Sequence, residues 1–292
     1  MKKNIKMKRM KFYFLLALSI LFSFSACGKD NNELDFEIPP HKTKYEKEEG
    51  AIRIMAYNVL RFVHDKNDQY NYQTIANMVN EKDVDAVCVN ELDSFTMRSN
   101  RDYQLEKFAK ALGDWDFKFG TAMPYSGGSY GEGVATREKA VRKFTVGLPK
   151  GVGAEPRVLV VMEMEDFVIA TTHLDHVSSE AQIDQVKVIN EAIEKEYKFS
   201  DKPVFLAGDL NAYPDSETIA YLKEDWTLLS STQPTFPSHS PNRCIDYVFQ
   251  YNNGVKCEVL HTEVIRFLKS GNPATASDHL PVIVDVKILG RD

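Results

Sequence analysis

The sequence contains few cysteines, four in 292 residues. Cys88 falls in an apolar run, which predicts a buried and inert thiol. Cys244 and Cys257 flank a predicted hairpin that turns at residues 252–254, but this turn does not place the two thiols opposite each other. The cysteines therefore indicate neither a disulfide framework nor a zinc site.

An apolar run long enough to span a membrane is also lacking. The run at residues 12–24 is shorter than the ~20 residues that a membrane-spanning helix needs. It follows six Lys and Arg in residues 1–11 and precedes Ser25-Ala26-Cys27, a layout typical of a secretory signal over residues 1–27. The small residues before Cys27 resemble a bacterial lipobox, in which this cysteine is lipidated. The alternative is an ordinary secreted protein in which Cys27 is incidental.

An excess of basic residues is absent too, because the chain carries 36 Lys and Arg against 42 Asp and Glu. Removal of the signal takes away six basic residues and leaves 30 against 42, a net charge of minus 12 with histidine neutral. Proteins that bind long nucleic acids usually present a basic face, so this charge disfavours such a partner without excluding it. Residues 28–50, acidic and proline-bearing, are predicted to form a flexible tether before a folded domain at 51–292.

The sequence has no phosphate-cradling P-loop. A glycine-rich segment at residues 126–133 has neither the spacing nor the following Lys and Ser or Thr of that motif. We expect this segment to form a mobile rim loop instead.

The sequence does contain polar side chains at the ends of several predicted strands. An apolar run at residues 204–207 leads to Asp209 and Asn211, whose spacing predicts that both side chains point to one side of a strand. Other predicted strands end at Asn58, Glu91 and His173. Carboxylates, amides and imidazoles in such positions suit metal binding, phosphoryl-oxygen binding or proton transfer. The alternative is that each residue caps a turn or a helix.

One acid, Asp246, lies inside an apolar run and is expected to be buried. An unpaired buried carboxylate is costly, so Asp246 should have a partner. We predict that this partner is His279, in the run Ser277-Asp278-His279, because an aspartate that orients an imidazole also stabilises its charged form.

These residues and motifs follow one another in a particular order: Asn58, Glu91, Thr-His at His173, Gly-Asp-x-Asn at Asp209 and Asn211, Ile-Asp-Tyr at Asp246, and Ser-Asp-His at Asp278 and His279. The ordered set resembles the endonuclease/exonuclease/phosphatase superfamily, also called deoxyribonuclease I-like, over residues 52–289. This resemblance implies an α/β (α+β) fold, a four-layer αββα sandwich of two mixed β-sheets flanked by helices. It also implies a site at one edge of the sandwich.

The resemblance further implies a role for each of these residues. Glu91 would bind a divalent metal, Mg²⁺ or Mn²⁺ as one or two ions, assisted by Asn58 and Asp278. The residues that orient water, hold phosphoryl oxygens or handle protons would be His173, Asp209, Asn211, Asp246 and His279. Two further residues are assigned less directly. Glu132 lies near the family position that pairs with the first histidine, and Arg157 either contacts the substrate or covers the sheet.

The implied activity is metal-dependent hydrolysis of a phosphoric ester by in-line water attack. We expect a phosphodiesterase that acts on a small molecule or a lipid head group. The alternatives are a secreted nuclease that degrades nucleic acid and a non-catalytic surface protein that keeps the fold to bind a partner. We expect an exported monomer, held by a lipid on Cys27 to a membrane of the bacterial cell envelope and either periplasmic or surface-exposed.

Overall fold

The computed structural model of the protein describes residues 45–63 and 70–291. The predicted signal with Cys27, and residues 28–44 of the predicted tether, lie outside the described residues. The chain from Glu46 onward belongs to one compact unit. Within the described ranges, no helix is long and apolar enough to cross a membrane.

The described residues form twelve strands and five α-helices. The strands are β1 (Ile52–Asn58), β2 (Ala86–Ser94), β3 (Asp116–Tyr125), β4 (Gly128–Thr136), β5 (Arg142–Leu148), β6 (Arg157–Glu163), β7 (Val168–Thr171), β8 (Val204–Asp209), β9 (Trp226–Leu228), β10 (Asp246–Tyr251), β11 (Val255–Val264) and β12 (Val282–Arg291). The helices are α1 (Tyr72–Glu81), α2 (Gln104–Gly113), α3 (Ser179–Tyr197), α4 (Glu217–Asp225) and α5 (Pro273–Ala276).

The strands make two mixed sheets of six strands each. The first has the order β11-β12-β1-β2-β4-β3 and the second the order β5-β6-β7-β8-β10-β9. Each sheet holds one parallel pair, β1 with β2 and β7 with β8, and its other neighbours are antiparallel. A parallel pair needs a long crossover, and α1 and α3 supply the two crossovers.

Alternation of side chains along the strands produces the layers. On β1, Ile54 and Ala56 pack into the core between the sheets, whereas Met55 and Tyr57 belong to the core that also holds α1 and α2. The second sheet repeats this arrangement, with its outer core formed against α3 and α4. The result is an αββα sandwich, which confirms the fold class predicted from the sequence.

The glycine-rich segment is a strand, not a loop. Residues 128–136 form β4, which pairs with both β2 and β3, and residues 126 and 127 make the hairpin turn. A Cβ atom at Gly131 would lie 1.9 Å from the backbone oxygen of Gly120, so the glycine allows the two strands to pair closely. The prediction of a mobile rim loop is therefore wrong.

The predicted hairpin between Cys244 and Cys257 is also wrong. β10 pairs with β8 and β9 in the second sheet, whereas β11 pairs with β12 in the first. The chain changes sheets at a corner where the Asn253 amide donates to the backbone oxygens of Tyr197, at 3.2 Å, and Lys202, at 2.9 Å. Cys88, Cys244 and Cys257 are free thiols.

Candidate active site

A cleft of about 420 Å³, here the main cleft, opens where β2, β7 and β8 bring their polar ends together. Seven predicted site residues line it: Glu91, Arg157, His173, Asp209, Asn211, Asp278 and His279. The other three, Asn58, Glu132 and Asp246, are buried behind it. Six further lining residues had not been singled out from the sequence: Tyr130, Glu155, His176, Phe236, Arg243 and Ile245. The structure thus brings all ten predicted residues to one place.

Glu91 reaches the main cleft through a bulge in β2. Its backbone has φ 61°, in the left-handed region, and the β2–β4 register shifts between Val89 and Leu92. The prediction that the strand stops at Glu91 is wrong, because β2 continues to Ser94. In a regular strand each side chain points to one face of the sheet or the other. The bulge changes the direction of the Glu91 carboxylate.

Asn90, beside Glu91, ties the two sheets together. Its Oδ1 accepts the backbone N–H of Asp209 at 2.9 Å, and its Nδ2 donates to the backbone oxygen of Thr172 at 3.0 Å and to Glu132 at 3.1 Å. This approach requires a glycine at position 208, where a Cβ atom would lie 2.2 Å from the Thr172 oxygen. A small amide at position 90 thus sets the floor of the main cleft.

Asp209 and Asn211 share the cleft because of a turn. β8 ends at Asp209, and Asn211 lies outside the strand with φ 49°. The Asn211 backbone N–H donates to Asp209 Oδ1 at 2.9 Å, which closes the turn. The predicted convergence of the two side chains is therefore present, but strand alternation is not its cause.

His173 is a neutral imidazole. Burial, followed by the positive charges of Arg157 and His279, holds its pKa well below 6.5. The Asn211 amide nitrogen donates to His173 Nε2 at 2.8 Å and to the Leu174 backbone oxygen at 3.1 Å. Because both amide hydrogens are then used, Nε2 accepts and the ring proton lies on Nδ1, which faces Glu132 Oε1 at 3.9 Å. Burial raises the Glu132 pKa to about 7, against the opposing effect of Arg157.

His279 is protonated. Burial would lower its pKa, but Asp246 and Asp209 outweigh burial and raise the pKa to about 10. His279 Nδ1 donates to Asp246 Oδ2 at 2.9 Å, the pairing that the sequence predicts. The Thr235 hydroxyl donates to the same oxygen at 2.5 Å, and the Phe236 ring packs 4.7 Å from the imidazole.

The Asp209 carboxylate lies between the two imidazoles. Its Oδ2 is 3.4 Å from His173 Nε2 and 3.6 Å from His279 Nε2. The Asn58 amide donates to the same oxygen at 3.1 Å. Burial raises the Asp209 pKa, which the His279 charge and these hydrogen bonds counteract.

The oxygen donors beside Asp209 fit a divalent cation. Glu91 and Asp278 are half-buried carboxylates that line the main cleft, and their proximity, after burial, raises the Glu91 pKa. Hard oxygen ligands of this kind suit Mg²⁺ or Mn²⁺. Asn58 Nδ2 donates to Glu91 Oε1 at 3.0 Å while its Oδ1 accepts the Leu60 N–H, so Asn58 orients the Glu91 carboxylate.

A second set of metal-ligand types is Asp209, Asp246 and His279, whose ligand atoms all lie within 4.8 Å of one another. In this set the facing atoms of Asp246 and His279 are already hydrogen-bonded to each other. Asp246 and His279 therefore form a hydrogen-bonded pair, whereas Asp209 Oδ2 lies 3.6 Å from His279 Nε2, beyond hydrogen-bond distance.

Arg157 is buried at the wall of the main cleft, with 2% of its surface exposed. Its Nη1 lies 3.0 Å from Glu155 Oε2, and its Nη2 is 3.4 Å from His176 Nδ1. Its Nε has no hydrogen-bond partner among the described residues. A buried guanidinium beside a cleft is suited to an anionic oxygen.

Asp175 fastens the two loops that carry these groups. Its Oδ2 accepts the backbone N–H groups of Ala154, at 2.6 Å, and Glu155, at 3.3 Å. Its Oδ1 accepts those of Val177, at 2.9 Å, and Ser178, at 3.0 Å. Burial would raise the Asp175 pKa, but these four bonds outweigh burial and lower it. One carboxylate thus fixes the loop after β5 against the loop after β7.

Comparisons with known proteins agree with this architecture. The sequence profile of the Endonuclease/Exonuclease/phosphatase family matches residues 55–279. A protein of that family from Bacteroides thetaiotaomicron superposes with a TM-score of 0.65 at 19% identity, covering 85% of this chain and 97% of its own. A mannosyl-6-phosphatase of Bacteroides thetaiotaomicron superposes with a TM-score of 0.63 at 21% identity, covering 80% and 99%. ANGEL2, a 2',3'-cyclic phosphatase, gives 0.63 at 13% identity, covering 84% and 99%. No curated protein sequence matches significantly.

The chain belongs to the endonuclease/exonuclease/phosphatase family, since the family profile spans most of the folded part. The structural neighbours share the deoxyribonuclease I-like sandwich. Family membership supports hydrolysis of phosphoric esters as the general activity.

Proposed function

We propose that this protein is a metal-dependent phosphodiesterase that acts on a small molecule or a lipid head group. The observation that carries the proposal is the pair of imidazoles in opposite protonation states around Asp209. Groups whose pKa values are pushed apart are suited to separate proton-handling roles in one reaction.

The residues of the main cleft divide the work of an in-line displacement. Asp209, with a pKa raised by burial, orients the attacking water and accepts its proton. His279 holds a proton that Asp246 stabilises, and it donates to a phosphoryl or leaving oxygen. Arg157 also lines the main cleft and is suited to the same negative charge. The Asn211 amide donates to His173 Nε2 and so fixes the orientation of this ring.

Mg²⁺ or Mn²⁺, as one or two ions, would be held by the carboxylates of Glu91 and Asp278, with Asn58 orienting Glu91. A bound cation of this kind neutralises charge on the phosphoryl oxygens and lowers the pKa of water. Burial and the nearby Asp278 carboxylate raise the Glu91 pKa, so a bound cation would stabilise the ionised form of Glu91.

The charge of the main cleft favours a diester over a monoester. The lining contributes four carboxylates against three cations, and the buried acids Asp246 and Glu132 lie directly behind; the lining carboxylates are Glu91, Glu155, Asp209 and Asp278, and the cations are Arg157, Arg243 and His279. A phosphodiester carries one negative charge, whereas a monoester carries up to two at neutral pH and is repelled more strongly. The neighbour that is a 2',3'-cyclic phosphatase acts on a diester of this charge class, whereas the mannosyl-6-phosphatase acts on a monoester.

The test uses protein beginning at Gly28 and the chromogenic diester bis(p-nitrophenyl) phosphate. We expect turnover that requires added Mg²⁺ or Mn²⁺, is lost in EDTA, and falls by about 10²-fold or more in Glu91→Ala at fixed metal concentration. Glu138→Ala, at an exposed glutamate outside the cleft, is the matched control. Full activity in EDTA, or an unchanged rate in Glu91→Ala, would contradict the metal assignment.

The alternatives give different outcomes in the same experiment. Faster cleavage of single- or double-stranded nucleic acid than of any small diester would indicate a nuclease. Absence of turnover on diesters, monoesters and nucleic acids would favour the non-catalytic binding role, which His173→Ala would then leave unaffected.

We further propose that the protein is exported, is held to the cell envelope by a lipid on Cys27, and acts as a monomer. The basic, apolar and small-residue layout of residues 1–27 supports this proposal. The mass of the mature protein purified from membranes tests it. A mature chain that begins at Cys27 and carries acyl groups is expected, and an unmodified N-terminus would contradict lipidation.

A further inference from the structure

A second cleft of about 290 Å³, here the side cleft, adjoins the main cleft. Its lining is Arg61, Glu91, Arg98, Met123, Tyr125, Tyr130 and Glu155. Three of these residues, Glu91, Tyr130 and Glu155, also line the main cleft, so the two clefts lie side by side. A group attached to a phosphoryl centre in the main cleft can therefore enter the side cleft.

The wall of the side cleft is fixed in advance. Arg98 donates twice to Asp93, at 2.7 and 2.8 Å, and Asp93 is fully buried. The guanidinium also lies over the Tyr125 ring, 4.1 Å from its centroid, and 5.6 Å from that of Tyr130. The Thr96 hydroxyl donates to the same Asp93 carboxylate at 2.9 Å. A surface held in this way loses little conformational freedom when a ligand binds.

The lining mixes groups of both signs. Arg61 and Arg98 supply positive charge, Glu91 and Glu155 supply negative charge, and Arg61 lies close enough to Glu91 to lower its pKa. The tyrosines add hydroxyl groups. Such a lining offers hydrogen-bond donors and acceptors in a small space and favours neither a strongly cationic nor a strongly anionic group.

The side cleft is a poor match for an acyl chain. Met123 and the tyrosine rings supply its apolar surface, and charged groups surround them. Apolar ligands bind where the lining is predominantly apolar. An alkyl group here would desolvate the charged groups without giving them partners.

We propose that the side cleft binds the alcohol part of the substrate and that this alcohol is an uncharged, polyhydroxylated ring. Hydroxyl groups both donate and accept, so a ring of this kind pairs with arginine and glutamate side chains together. Its C–H faces pack on Tyr125, which is 39% exposed. This assignment rests on the proposed hydrolase function and narrows its substrate class.

The test compares three methyl phosphodiesters that differ in the second alcohol: glucose joined through O6, choline and hexanol. Hydrolysis is followed by phosphorus NMR. We expect kcat/KM for the glucose diester to exceed the other two by about tenfold, which corresponds to about 1.4 kcal/mol. Equal rates, or a preference for the choline or hexyl diester, would overturn the proposal.

Two variants locate the preference. Arg61→Gln and Tyr125→Ala are each expected to raise KM for the glucose diester by about fivefold while leaving the hexyl diester within about twofold. Arg101→Gln, at an exposed arginine outside both clefts, is the control. A glucose preference that survives both variants would place the sugar elsewhere.

Failure of the hydrolase function is distinguishable from failure of the side cleft. If neither the three diesters nor bis(p-nitrophenyl) phosphate is hydrolysed, the proposed function fails. Binding of the glucose diester, measured by saturation-transfer NMR, then still tests the side cleft. Loss of binding in Arg61→Gln and Tyr125→Ala supports the proposal, and equal binding in wild type and both variants overturns it.

Discussion

The two histidines of the main cleft differ in the hydrogen bonds and charges that surround each imidazole ring. His173 is buried and lies near the charges of Arg157 and His279, so its pKa is low, and its Nε2 accepts a hydrogen bond from the Asn211 amide. His279 gives a hydrogen bond to Asp246 and lies near Asp209, so its pKa is high. Both rings are buried, and burial alone would lower both pKa values. The neighbour, and not the burial, therefore decides which ring carries a proton.

An imidazole beside a phosphoryl site can therefore act in two ways. A charged donor stabilises developing negative charge more strongly than a neutral group does. A neutral ring mainly orients its neighbours or accepts a proton. Removing the two rings should therefore have unequal effects.

Removal of the charged ring should have the largest effect. In His279→Ala, we expect kcat for bis(p-nitrophenyl) phosphate to fall by about 10³-fold, because a proton donor aimed at the reacting group is lost. Steady-state rates at saturating metal measure this change. His239→Ala, at an exposed imidazole that does not line the cleft, should retain wild-type activity. An effect of less than about fivefold at His279 would contradict its role.

Removal of the neutral ring should have a smaller effect. In His173→Ala, we expect kcat to fall by about 10²-fold, since Asn211 and Asp209 lose a buried partner but no charged donor disappears. His173→Gln, which can still accept from the Asn211 amide, should recover part of the rate. A larger fall in kcat for His173→Ala than for His279→Ala would contradict the assigned roles of the two rings.

Asp246→Asn should lower the His279 pKa and so make the surroundings of His279 resemble those of His173. Removing the carboxylate takes away a cause that raises the His279 pKa, and burial then lowers it. Wild type should lose activity only as pH rises toward about 10, whereas the variant should lose it at lower pH and be about tenfold slower at neutral pH.

The matched control for Asp246→Asn is Thr235→Val, which removes the other hydrogen bond to the same oxygen and keeps the charge. Its alkaline limb should stay close to that of wild type. Rate profiles between about pH 6 and pH 10 decide the matter, and parallel profiles for wild type and Asp246→Asn would contradict the argument.

The smallest effect on activity is expected for Asp175→Asn, which loosens the loops beside His173 and leaves the His279 side intact. Four backbone donors face the carboxylate, so we expect a loss of about 2 kcal/mol in the free energy of unfolding at neutral pH. The rate should fall by about threefold because Arg157 and Glu155 are less well placed.

The pH dependence of this stability has a definite sign. The folded pKa of Asp175 is depressed, so its contribution is present above the unfolded value of about 3.9 and is lost as pH falls through the folded pKa. The difference between wild type and Asp175→Asn should therefore shrink in acid. Denaturant titrations at several pH values measure it, and a difference that grows toward low pH would contradict the assignment.

Much of this arrangement could be predicted because it depends on local order in the sequence. Asn58 and Asp209 end apolar strands and His173 closely follows one, and strand ends of one sandwich meet at one edge. The pairing of Asp246 with His279 followed from the cost of an unpaired buried acid, and the two atoms lie 2.9 Å apart. The roles of these residues remain predictions.

Other features depend on contacts that are distant in sequence. The sequence pattern of β10 and β11 predicts a hairpin. In the structure the two strands belong to different sheets, and the chain passes between the sheets at the corner held by Asn253. β4 lacks the alternation of apolar and polar side chains that identifies a strand in the sequence. Several of its positions are glycines because a Cβ atom there would clash with the neighbouring strands. Glu155 and His176 line the main cleft from two loops that the Asp175 carboxylate joins, a contact that no local pattern signals.

The Asn90 bridge has a consequence for evolution and motion. Because the Asp209 backbone N–H is hydrogen-bonded to a side chain from the opposite sheet, a movement of the cleft floor against that sheet would break this bond. We therefore expect conformational adjustment to a ligand in the surrounding loops and not in the floor of the main cleft. Loops can diverge to accept new alcohols, but a change at position 90 would disturb the fold and the chemistry together.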